Sequence, residues 1–196
     1  MCKKNHKKRK FSFFQAPIYN NVPSKEVSLE EVYSYIISDE AKERTEKLRS
    51  IKNASEARMY KMRNFDNVTF SGRFGWRSDS WLIGHSGLMC FDFDDVENIA
   101  WLKEQLLEDP FFETQLLFTS PSGNGLKWVI SVDLSRYDHR DMFVAISNYL
   151  ESTYNIRPDA KCINESRTCF LPYDPDCYIN PCLLITKNNL IHETGI

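Results

Sequence analysis

The stretch that decides the fold is LMCFDFDD, residues 88–95. Leu88, Met89, Cys90 and Phe91 read as a buried β-strand, and Asp92 and Asp94 then take alternate positions with Phe93 between them. Side chains alternate along a strand, so the two acids share a face, about 6.5–7 Å apart. Bare carboxylates that close repel one another, and burying them is costly. A divalent cation removes both penalties, and Mg²⁺ or Mn²⁺ prefers carboxylate oxygens, water and phosphate. The pair therefore predicts a metal site. The plainer reading is that both acids reach solvent at a strand end, where Asp94 or Asp95 caps a helix from Val96.

Downstream, apolar periodicity predicts a helix from about Val96 to Leu107, a strand over Thr114–Thr119 and a strand over Leu126–Val132. A Gly/Ser/Asn-rich turn, SPSGNG, joins the two strands. A helix over Asp138–Tyr154 follows, then a short strand over Cys169–Leu171 limited by Pro172. The order from Leu88 is β-α-β-β-α-β, a ferredoxin-like (RRM-like) unit over about residues 88–172. Such a unit carries both helices on one face of an antiparallel sheet and leaves the other face open. It sets the C-terminal end of the Leu88 strand beside the N-terminal end of the Leu126 strand.

Upstream, residues 1–24 read as a basic tail and an extended segment. Ser28 and Glu31 form a capping box that starts a helix, a charge-rich helix covers Asp39–Ile51, and a shorter one runs from Ala54 to about Lys61. Val68–Phe70 and Trp81–Ile83 are strand-like. The expected organisation is a tail and a single domain over 25–196, with 25–64 helical and 65–185 an α+β core.

The chain has 196 residues and 42% apolar content, enough for one core. No apolar run approaches the roughly 18 residues of a membrane span, and no apolar segment follows the basic N-terminus as in a signal peptide. Cys90 and Cys169 sit in strand-like runs, so a reduced, cytoplasmic chain with no membrane association is expected. The net charge of −2 hides an asymmetry: MCKKNHKKRK holds six Lys/Arg and no acid, and the remainder has 19 basic against 27 acidic residues. A basic arm on an acidic body suits nucleic acid, and equally a solvated tail.

Two further elements accompany the acids. In SPSGNGLKW, Gly123 and Gly125 let a backbone approach a ligand closely, and exposed N–H groups there favour anions. Trp128 and Ile130 share one face of the following strand, so Lys127 points to the other and, in the predicted fold, stands beside Asp92. In RPDAKCINESRTCF, Asp159 offers a third carboxylate and Arg167 a bidentate phosphate contact, with Asp174 and Asp176 as competing acids. Most Gly-rich turns are simple hairpins; the combination carries the reading.

SGLMCFDFDD, TSPSGNGLKW and SRTCFLPYDPDCYINP together resemble the three motifs of the archaeo-eukaryotic primase (primase-polymerase) superfamily, and more closely the primase-like domains called VirE N-terminal, found in bacterial and mobile-element proteins. The likeness spans about residues 67–181. It implies a primase-polymerase-like fold and a nucleotidyltransferase that makes or extends short oligonucleotides on a single-stranded template. Asp92, Asp94 and Asp159 would be the catalytic acids and hold two Mg²⁺ or Mn²⁺ ions. Ser120, Ser122, Gly123, Gly125, Lys127 and Arg167 would bind the nucleoside triphosphate. Lys127 stands where the family's second motif usually has histidine, and a lysine meets phosphate as a point charge without imidazole chemistry. The template would cross the open sheet face, aided by Lys61, Arg63, Arg73, Arg77 or the tail. Relatives are often fused to a helicase; the chain has no Walker A motif, so a helicase would be a separate partner.

Two rival functions remain: a non-catalytic primase-like module binding nucleic acid or a replication partner, and a phosphatase using DFDD as a haloacid-dehalogenase-type nucleophile motif. Cys162, Cys169, Cys177 and Cys182 lack zinc-knuckle spacing apart from Cys177-x₄-Cys182 and read as ordinary strand and loop cysteines. His85 reads as a loop residue and His139 as a surface one. Phe74, Trp76 and Trp81 suit either base stacking or core packing.

Overall fold

The computed structural model describes residues 9–184. Ten strands and six α-helices run in the order β1 (Phe11–Phe14), β2 (Lys25–Val27), α1 (Leu29–Ile36), α2 (Asp39–Ser50), α3 (Ala54–Asn64), β3 (Asn67–Thr69), β4 (Gly72–Phe74), β5 (Leu82–His85), β6 (Leu88–Phe93), α4 (Ile99–Leu107), β7 (Thr114–Thr119), β8 (Leu126–Ser131), α5 (His139–Tyr154), β9 (Cys169–Phe170), β10 (Tyr178–Ile179) and α6 (Pro181–Leu184). The fold is α+β with antiparallel sheets. No helix among the described residues is long and apolar enough to cross a membrane.

The central sheet has the order β10-β7-β8-β6. β6 lies antiparallel beside β8, with Phe91 opposite Trp128 and Asp92 opposite Lys127, as the split βαβ reading requires. Alternation then sorts the two faces. Met89, Phe91, Phe93, Leu126, Trp128 and Ile130 turn toward α4 and α5 and pack on Leu102, Leu106, Phe143, Ile146 and Leu150. The rings of Phe91 and Phe143 stack at 5.2 Å with 7° between planes. The Trp128 indole N–H donates to Thr114 Oγ (2.7 Å), whose hydroxyl donates to the Leu106 carbonyl (2.8 Å), so one polar chain ties β8 through β7 to α4.

The other face departs from the ferredoxin-like expectation. A second sheet, β2-β1-β3-β9, and helix α1 cover it, and Leu88, Leu116, Phe118 and Val129 share one core with Phe11, Phe13, Val32, Ile36 and Val68. β9, expected as the fourth strand of the central sheet, pairs instead with β3 (Val68 opposite Cys169), and the edge beside β7 goes to β10. FSFF, assigned to the extended tail segment, is a fully buried strand at the heart of the second sheet. Arg9 donates to the Gly87 carbonyl and Lys10 pairs with Glu31 at 2.7 Å, so the end of the basic arm is docked; its first eight residues lie outside the described ones.

Local chemistry also moved some boundaries. Helix α4 starts at Ile99 under Asn98, whose side chain accepts from the Trp101 N–H (3.0 Å), rather than under Asp94 or Asp95. Asp95 is in the left-handed region (φ 53°), and the Val96 N–H goes to the Asn124 carbonyl, so those residues form a turn. Asp138 caps α5 as an acceptor from the Asp141 N–H. Cys90, Cys162, Cys169 and Cys177 are free thiols.

His139 is buried, not a surface residue, and its Nδ1 lies 3.0 Å from Nε2 of His85. His85 Nδ1 accepts from the Gly87 N–H, which leaves the proton on His85 Nε2 and makes His139 Nδ1 the acceptor. The pair clamps β5 to the first turn of α5. Burial lowers both imidazoles to about 4, with His139 adding to the effect on His85.

Two predictions follow from the packing. Thr114→Val strands the Trp128 N–H in the core and should cost about 1–3 kcal/mol in urea unfolding, with Thr114→Ser close to wild type. Both histidines are more basic unfolded than folded, so their stabilisation is complete above about pH 6.5 and is lost as pH falls toward 4. Unfolding midpoints between pH 7 and 4.5 should drop in the wild type and flatten in His85→Asn/His139→Asn; equal slopes would assign the loss to carboxylates.

Candidate functional site

The end of β6 emerges between the two covered faces, and there the apolar run turns polar. Asp92, on the same face as Leu88 and Cys90, directly opposes Lys127. The Lys127 ammonium contacts Asp92 Oδ1 in an ion pair whose side chains are only 10% and 13% exposed. Burial pushes the Asp92 carboxyl above its ordinary range, and the lysine only partly offsets this. Burial works against the Lys127 ammonium too, but the neighbouring Cys169 and Asp92 overcome it and hold the lysine charged.

Asp159 reaches this point from 67 positions downstream. Its backbone N–H donates to the Asp92 carbonyl (2.8 Å), and its carboxylate caps the short 3₁₀ turn Ala160–Ile163 by accepting from the Lys161 N–H. That turn brings Cys162 to the same side. One carboxylate oxygen each from Asp92 and Asp159 and the Cys162 sulfur lie within 4.8 Å of one another. Arg167 closes the group by donating to Asp159 Oδ2 at 2.9 Å. The cleft above holds about 330 Å³ including its mouth, and Asp92, Lys127, Cys162, Arg167, Cys90 and Cys169 are among its lining residues. Burial pushes the Cys162 thiol up to about 12, and a hydrogen bond with Cys169, then burial, holds the Cys90 thiol well above its ordinary value.

Four predicted residues, Asp92, Lys127, Asp159 and Arg167, thus meet. Asp94 is not one of the three clustered ligands: it lies one residue beyond β6 and is exposed, and its charge still acts on Asp92 and Lys61. Asp174 accepts from the Thr119 and Asp176 N–H groups and is a turn anchor rather than a third acid. Ser120, Ser122, Gly123 and Gly125 are not among the cleft's lining residues. Their turn closes on itself, the Gly123 N–H donating to the Ser120 carbonyl. Arg49 of α2 covers it, donating to the Pro121 and Ser120 carbonyls. Gly123 needs its left-handed φ of +86°, and a Cβ on Gly125 would stand 2.2 Å from the Phe93 carbonyl oxygen. Gly125 therefore serves the β6–β8 approach, and Gly123 the turn under Arg49.

The four cations proposed for nucleic acid divide. Arg77 is a strut: it donates to Thr168, Asn21, Asn67 and the Ile18 carbonyl. Arg73 faces Glu26 at 3.5 Å. Arg63 is exposed on α3, and Lys61 sits 5.7 Å over the Phe170 ring. Burial, then the Lys127 charge, lowers the Lys61 pKa, while Asp94 and Asp92 oppose the shift. Cys162 and Arg49 were missed. Cys162 carried one signal, its three-residue spacing from Asp159, which a 3₁₀ turn brings to one side; Arg49 carried none.

The donor set suits one divalent ion better than two. The carboxylates of Asp92 and Asp159 match Mg²⁺ or Mn²⁺, a neutral Cys162 thiol is a poor ligand for either, and Lys127 already occupies one oxygen of Asp92. Removing one member of a buried ion pair strands the other. Lys127→Met should destabilise the chain by about 3–5 kcal/mol in urea unfolding, and Asp92→Leu/Lys127→Met should recover most of that loss. A double variant no better than the single one would show that the pair has no coupled role.

Searches of the curated proteins and of the solved structures matched nothing. The profile of a family described as BT4734-like, N-terminal domain, matches residues 60–179. That span runs from the second half of α3 through β10 and contains Asp92, Lys127, Asp159, Cys162 and Arg167. By this match the chain belongs to the BT4734-like N-terminal domain family.

Proposed function

We propose that the chain is a metal-dependent nucleotidyltransferase of primase-polymerase type, acting on nucleoside triphosphates and a single-stranded template. The observation that supports this reading is the convergence of Asp92, Lys127 and Arg167 in one cleft, with Asp159 beside Asp92 and paired to Arg167, from three separate segments. Lys127 and Arg167 offer two cations to phosphate, one as a point charge and one in a forked geometry. Asp92 and Asp159 would hold the divalent ion. When bound, that ion supplies charge neutralisation for phosphate and acidifies a coordinated hydroxyl. Asp159 would be shared between the ion and Arg167, and the guanidinium would offer its remaining N–H groups to phosphate. The polar end of β6 remains the meeting point throughout.

A second reading has its own support. Lys127 neutralises Asp92 inside the fold, and Asp94 is exposed beyond the end of β6, which suits a primase-like module that binds nucleotide or nucleic acid without polymerising it. Incubation with single-stranded template, labelled nucleoside triphosphates and Mg²⁺ or Mn²⁺ separates the two. Nucleotidyl transfer predicts oligonucleotides that disappear in Asp92→Asn and in Asp159→Asn. Nucleotide binding without product in any metal would leave the non-catalytic module.

A further inference from the structure

The template route expected from the sequence, an open sheet face, is closed by the second sheet and α1. Two unexplained surfaces lie on either side of the cleft instead. The first is the loop between β4 and β5. Trp76, Trp81 and Ile83 are 44%, 60% and 63% exposed, although a core was available to bury them. The loop is held rigidly: the Gly75 N–H donates to the Trp81 carbonyl, and Asp79 accepts from the Ser166 N–H (2.8 Å), next to Arg167. The second is α3, an 11-residue helix with no buried side chain. A globular helix ordinarily earns its place through a buried apolar face. From Lys52 to Arg63 the chain carries four cations against Glu56 alone, and Arg58 and Lys61 sit one turn apart.

The two surfaces are physically joined. Lys61 lies over Phe170 of β9, Thr168 and Arg167 line the cleft, and Thr168 accepts from Arg77 at the base of the tryptophan loop. The track therefore reads aromatic, cleft, cationic. Exposed indoles offer stacking faces to unpaired bases, and a row of cations tracks a phosphate backbone. An acidic protein partner would satisfy the cations and leave the indoles without a matching group.

We infer that a single nucleic-acid strand binds along this track, its bases stacked on Trp76 and Trp81 and its phosphates on Arg167, Lys61 and Arg58. The inference rests on the proposed function for the direction of the strand past the cleft, but strand binding itself needs no metal and no transfer.

Fluorescence anisotropy of the full chain with a fluorescein-labelled oligothymidylate, in EDTA and across a salt series, tests it. The single strand should bind more tightly than a duplex of equal length. Trp76→Ala/Trp81→Ala should weaken binding about ten-fold or more at fixed salt. Trp76→Phe/Trp81→Phe should restore most of it, which guards against a folding defect. Arg58→Gln/Lys61→Gln should make the salt dependence shallower by about 0.7 per lost contact. Phe111→Ala, at a still more exposed aromatic on the α4–β7 connection, should change nothing. Equal affinity for duplex, a tryptophan variant that behaves like Phe111→Ala, or binding of polyglutamate in place of the strand would each overturn the inference. Strand binding without product would sink only the proposed transfer. Product formation with strand affinity unmoved by these variants would sink only the track.

Discussion

The cross-strand pair of Asp92 and Lys127 is the constraint around which the rest is arranged. β6 is buried on both faces, against α4 and α5 on one side and the second sheet on the other, and at its polar end the Asp92 side chain is only 13% exposed. A carboxylate there needs a partner that the fold itself supplies. The antiparallel register provides one by placing Lys127 directly opposite. Once that register is set, Phe91 falls opposite Trp128, the indole reaches Thr114, and the helix-facing core is determined residue by residue.

Covering the second face changes what the acids are. On an open sheet Asp92 would face solvent and would recruit a metal by simple exposure. Under β1, β3 and β9 it becomes the charged floor of a cleft whose walls include Cys90 and Cys169. The neighbouring Cys169 and burial hold the Cys90 thiol well above its ordinary range. Asp159 enters through a backbone hydrogen bond to Asp92, so the site's geometry depends on main-chain contacts as much as on the acids themselves.

Function and support also divide along the chain in an unexpected way. The glycine turn and Arg77 looked like ligand-binding features, yet the turn sits under Arg49 and the Arg77 guanidinium is engaged by four partners in the fold. The helix and loop that bury least, α3 and the tryptophan loop, are those left with unmatched chemistry on their surfaces.

Much of this was legible from local pattern. Period-two alternation located β6 and β8 and put Asp92 and Lys127 on one face, the 3.6-residue stripe located α4 and α5, and Ser28 with Glu31 marked the start of α1, because each signal lies within one element. What the tertiary structure decided depends on contacts between distant segments. FSFF carries no alternation, since both its faces are buried, and it was indistinguishable from an extended tail. β9 is two residues long, too short to specify its neighbour, so competition between two sheet edges assigned it to β3. The chain turns at Asp95 and leaves Asp94 exposed beyond β6, and Cys162 came beside Asp92 because a 3₁₀ turn followed Asp159. The sequence by itself determined which residues could carry charge into the core; only the packing of the second sheet decided which of them share one cleft, because burial from both sides is a property of no single strand.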